Sequence, residues 1–137
     1  MAERTGRYAA LTKRLLDSVL ATSGHTPREL RRAVLERARP SSPLSGTERG
    51  TGGEDITSDL VAYVDKVALH AYKVTDEDLA ALKRAGNSDD VLFEATVAAA
   101  LGAALGRLEC GLSALRGEAS PPDPLSTTWR GGTQDEN

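Results

Sequence analysis

Cysteine is nearly missing from these 137 residues: Cys110 stands alone. One thiol allows no intrachain disulfide and no CxxC or CxxH pair, so a structural zinc site or disulfide framework within one chain is excluded. Aromatics are scarce too, at three Tyr, one Trp and one Phe. The core must therefore be built from Ala, Leu and Val, which disfavours an all-β sandwich. No continuous apolar run approaches the roughly 18 uncharged residues of a membrane span. The opening MAERTGRYAALTKRLL also lacks the apolar centre of a leader peptide. A cytoplasmic, single-domain helical protein with no membrane contact is the expectation.

The net charge of −3 hides a split. Residues 1–39 carry nine Arg or Lys against four acids, and the remainder carries eight against sixteen, so the two parts hold +5 and −8. A basic arm can mean nucleic acid. No aromatic platform accompanies these arginines, however, which disfavours that partner. Docking of the basic segment on the chain's own acidic part, or on a neighbouring subunit's, is the favoured reading.

Apolar periodicity lays out five helices. Tyr8, Leu11, Leu15, Leu16, Val19 and Leu20 share one face of a helix from Tyr8 to Thr22. Thr26-Pro27-Arg28-Glu29 then offers a cap hydroxyl, a first-turn proline and a capping-box carboxylate for a helix over 27–38. Its apolar face (Leu30, Ala33, Val34, Ala38) is thin, so it must lean on something. Residues 39–56 turn to Pro, Ser, Gly and Thr and read as a flexible linker. Residues 118–137, with Trp129, read as a disordered tail.

Within 57–117, Ser58 is expected to cap a helix facing inward through Leu60, Val61, Val64, Val67, Ala68 and Ala71. Thr75 should open a short helix with acids at 76–78 against its positive end and Gly86 as a left-handed stop. Ser88 should cap a helix running to about Leu115, roughly 40 Å long. Projected at 100° per residue, this last helix sorts into a large stripe and a small one. Phe93, Val97, Leu101, Leu105, Leu108, Leu112 and Leu115 form the first; Ala95, Ala98, Ala99, Gly102, Gly106, Cys110 and Ser113 form the second. No charge falls between Ala95 and Gly106, so this helix should be central or at a subunit interface. Gly102-x-x-x-Gly106 lets another helix backbone come close.

The stretch from Leu60 to Leu115 resembles the C-terminal part of the alkyl hydroperoxidase D-like and carboxymuconolactone decarboxylase-like family. Thr75, Asp76, Asp78, Leu82, Gly86, Ser88, Asp89, Asp90, Glu94 and Arg107 match its "vTdeD-aaL-aaG-sdd-lfE" segment and following Ala-rich helix, over about 40% of the chain. The resemblance implies an all-α fold: a helical core of that class at 57–117, with the helical hairpin 1–38 added to it. It also implies a homo-oligomer, a trimer or hexamer. Catalytic members carry E-x-x-C-x-x-C-x-x-x-H upstream, one thiolate attacking peroxide and the second resolving it. This chain has no such motif, so thiol peroxidase chemistry does not carry over.

Glu94 projects near the large stripe and is either a partly buried carboxylate with a raised pKa or an early-turn acid paired to a cation. In the first case it becomes a general base, with His70 or Tyr72 as partner in a small-molecule pocket. His70, at the border of an apolar stripe, has a plain structural reading as well. Arg107 projects away from Glu94 and suits an interface or a helix end. Cys110, on the small stripe, reads as packing. Three functions are compatible with this: a non-redox family member with a small-molecule pocket, an interaction protein whose basic helices bind an acidic partner, and a peroxidase working through Cys110. No cofactor or metal is called for.

Overall fold

The computed structural model describes residues 2–40 and 56–117. Most of the expected linker, and the expected tail with Trp129, lie outside them. The fold is all-α: the described residues form α1 (Ala2–Leu20), α2 (Arg28–Ala38), α3 (Ser58–His70), α4 (Asp76–Arg84) and α5 (Asp89–Leu115), with one 3₁₀ turn at Ala71–Lys73 and no strand among them. Met1–Arg107 is one compact unit and Leu108–Asn137 a second.

Local signals around α4 and α5 work as their chemistry requires. The Thr75 hydroxyl accepts from the Asp78 amide while the Asp78 carboxylate accepts from the Thr75 amide, a complete capping box. Gly86 takes φ +104°, the left-handed conformation that stops the chain after α4. The Ser88 hydroxyl accepts from the Val91 amide at 3.3 Å and opens α5.

Two expected caps are different. Pro27 occupies the N-cap place of α2, one residue later than expected, and it has no side-chain oxygen to accept a first-turn amide. The Thr26 amide and hydroxyl both donate to the Glu94 carboxylate, a charge-assisted pairing. At α3 the N-cap is Thr57, again without a side-chain bond, and Ser58 is the first helical residue.

The core of the first unit joins α2, α3 and α5. Val34, Val64 and Ala98, one from each helix, are fully buried in the same cluster as Ile56, Leu60, Leu92 and Ala95. Residues 28–38, expected as part of an added element, thus belong to the core itself. Leu16, Val19 and Leu20 of α1 pack on a second cluster, Leu35 with Leu101 and Leu105.

The small stripe of α5 is packed closely as far as Gly106, as its glycines imply, whereas much of the large stripe stays open. Ala95, Ala98, Ala99, Gly102 and Gly106 are buried, whereas Phe93 and Val97 stay exposed and only Leu101 and Leu105 of the large stripe are covered. Close approach is the reason. A Cβ on Gly102 would fall 2.2 Å from the Leu35 carbonyl oxygen, and one on Gly106 equally close to Pro40. The backbone of α2 therefore lies almost against α5, where only small residues fit. The α5 helix is long and apolar enough to cross a membrane by length and composition, although its uncharged stretch runs only from Ala95 to Gly106; its middle supplies the core described above. In the second unit, Leu108, Leu112 and Leu115 are exposed.

Candidate functional site

Glu94, early in α5, meets the turn between α1 and α2. Its Oε1 accepts from the His25 amide at 2.7 Å, and its Oε2 accepts from the Thr26 amide at 2.7 Å and from the Thr26 hydroxyl. Gly24 leaves room for the carboxylate, since a Cβ there would fall 2.4 Å from Oε1 and the Glu94 side chain would have to shift. The His25 ring stands between two carboxylates, Nδ1 3.5 Å from Glu94 and Nε2 3.6 Å from Asp90.

This geometry decides the charge of Glu94. Burial pushes its pKa up, but the Thr26 hydroxyl and the His25 and Thr26 amides, with the field of Arg31, pull it down to about 2. The raised-pKa alternative is therefore corrected: the carboxylate is ionised at neutral pH and is a poor general base. Three neutral donors hold it, with the His25 ring and the field of Arg31 beside it. It acts as a clasp that fixes the α1–α2 turn onto α5.

Arg31, one of the nine basic residues of 1–39, is only 5% exposed. Its Nη1 donates to the Val19 carbonyl at 2.7 Å, closing the end of α1. Its buried Nε has no hydrogen-bond partner. Arg31, Glu94, Phe93 and Val97 line a cavity of about 210 Å³ with Ser18 and Val19 of α1.

His70 and Tyr72 are elsewhere. Their rings meet edge-on at 6.0 Å, with the Lys73 ammonium 5.7 Å from the Tyr72 ring. His70 borders a groove of about 670 Å³ between α3 and α4, which Glu94 does not line. The floor of that groove includes Ala62, Tyr63, Ala81 and Leu82. Ion pairs tie down its polar edges: Arg37 from α2 grips Asp65 through two bonds of 2.9 and 2.8 Å, and Lys66 reaches Asp78 at 2.7 Å. Lys66 and the Thr75 amide hold the Asp78 carboxyl below its ordinary pKa. The Tyr63 and Thr96 hydroxyls pair at 2.7 Å beneath it.

Arg107 donates to the Ala68 carbonyl at 2.7 Å, so it is a helix-end cation, serving the C-terminal turns of α3. Cys110 is exposed, which corrects the packing expectation: the small stripe is buried only as far as Gly106. Among the described residues no three potential metal ligands converge.

Three residues of the clasp, Gly24, His25 and Thr26, were legible only as turn and cap chemistry. Their partner lies almost seventy positions away, and no local pattern announces it. No family model, curated protein or solved structure matches this chain.

Proposed function

We propose that this chain is a non-redox relative of the alkyl hydroperoxidase D-like and carboxymuconolactone decarboxylase-like class that works in the cytoplasm as a homo-oligomeric, binding protein. The support from the fold is local: the capping box at Thr75, the left-handed Gly86, the Ser88 cap and the Ala-rich α5 occupy the positions that carry the resemblance. The absence of a second cysteine removes the class's thiol couple. Glu94, ionised and holding three donors, is committed to structure.

The observation that carries the reading is apolar surface left open by one copy. Tyr8, Leu11 and Leu15 on α1 are 65%, 49% and 51% exposed, and Phe93 on α5 is 70% exposed. Large apolar residues repeated at helical spacing on a surface mark an interaction site. Light scattering of the purified chain tests it: a mass of two or more chains is expected at micromolar concentration, and a single-chain mass throughout would refute it.

A second reading is favoured by the cavity beside Glu94. An unpartnered, buried guanidinium nitrogen next to exposed Phe93 and Val97 suits a small molecule with an apolar body and one acceptor oxygen. Chemical-shift changes confined to Arg31, Phe93 and Val97 on titration with cyclohexanone would support it, and none at millimolar ligand would count against it. Recruitment of an acidic partner by the basic helices has less support, since Arg31 and Arg37 are spent inside the fold.

A further inference from the structure

We propose that the Tyr8–Leu15 stretch of α1 of one copy seats in the α3–α4 groove of the next, so that the assembly is joined head to tail. The inference rests on the oligomeric reading above and names the two surfaces that meet. Tyr8, Leu11 and Leu15 lie at i, i+3 and i+7, one face of a helix, and their own chain leaves that face open. Val19 and Leu20 further along α1 are packed on the core, so the helix is anchored at its C-terminal end and offers the face from Tyr8 to Leu15 to a partner.

The groove has the complementary form. Two helices make its walls, and Ala62 and Ala81 provide small, exposed side chains over which a third helix can come close. Leu69, 54% exposed, supplies an apolar wall. Charge agrees with shape. Of the residues lining the groove, Asp59, Asp65 and Asp78 are acidic; Arg37 from α2 pairs with Asp65 and Lys66 with Asp78, so the trough keeps a small excess of negative charge, with His70 at its border. Arg7 and Arg14 are exposed on α1, and Lys13 is paired with Asp17. An apolar helix face flanked by arginines therefore meets a trough with an apolar floor and a small excess of negative charge, the helix-in-groove mode of recognition. The opposed charges of the two parts of the sequence find a use across the junction.

Complementation tests this directly. Leu11→Asp with Leu15→Asp spoils the inserted helix and leaves the groove intact; Ala81→Arg spoils the groove and leaves the helix intact. All three positions are exposed, and retention of helical circular dichroism and of the unfolding midpoint checks the fold. Should Ala81→Arg fail to fold, Ala62→Arg blocks the same trough. Each variant alone should weaken self-association by roughly 100-fold or more. An equimolar mixture should restore a two-chain species, because one intact helix and one intact groove remain between them. A mixture that stays monomeric, or variants that assemble like the wild type, would overturn the head-to-tail seat while leaving oligomerisation standing. A monomeric wild type would remove both.

Discussion

Replacing Glu94 by Gln is the sharpest test of the clasp, because it removes the charge and keeps the size. The carboxyl's pKa moves from 4.5 to about 2 on folding. At 1.36 kcal/mol per unit this amounts to about 3 kcal/mol favouring the folded state. The side chain is 17% exposed, so little of that is lost to solvent screening. In the variant one terminus becomes an NH₂ group facing a donor, whichever way the amide turns, since both carboxylate oxygens accept N–H groups from the turn. A loss of about 2–3 kcal/mol at pH 7 is expected from chemical denaturation. The sign of the pH dependence follows from the lowered folded-state pKa. The contribution is full above the unfolded value near 4.5 and is lost as pH falls through about 2. The gap between wild type and variant should therefore narrow as pH is lowered from about 5 toward 2. A gap of less than about 0.5 kcal/mol at pH 7, or one that stays constant down to pH 2, would refute the clasp.

Other consequences are accessible to the same kind of measurement. Gly102→Ala should destabilise by about 3 kcal/mol in denaturant titration, since the new methyl meets the Leu35 carbonyl, whereas Gly111→Ala, with nothing within 4 Å, should raise helicity and be neutral or stabilising by up to about 1 kcal/mol. Thr75→Ala should cost about 1 kcal/mol in thermal unfolding through loss of the capping box. Exposed Cys110 should react with Ellman's reagent in the native protein, one thiol per chain without denaturant. Any peroxide consumption should be the same in Cys110→Ser; its disappearance there would restore the peroxidase reading.

What was legible in the sequence follows the range of the interaction. Thr75, Gly86 and Ser88 act within a turn of themselves, so residue type and spacing were enough. The stripes of α5 were legible because helical projection needs nothing beyond the helix. Which helix approaches the glycines, and how much of the large stripe stays open, was not, because that depends on how near α2 comes, and the Gly102 contact with Leu35 joins elements 67 positions apart. Thr26 illustrates the same limit: its local signal points to an N-cap, but α2 starts with Pro27 in that place, and the Thr26 amide and hydroxyl donate to a carboxylate 68 positions away. Arg31 was invisible for a related reason. A guanidinium near a helix start is ordinarily solvated, and only the packing of α1 across α2 turns it inward onto the Val19 carbonyl.

The exposed face of α1 is the feature on which the proposed function turns, and amide hydrogen exchange across 6–15 as a function of protein concentration probes it most directly. Assembly through α1 predicts exchange slowed by about tenfold or more in concentrated solution, relaxing on dilution. Rates in this segment that are independent of concentration would contradict it.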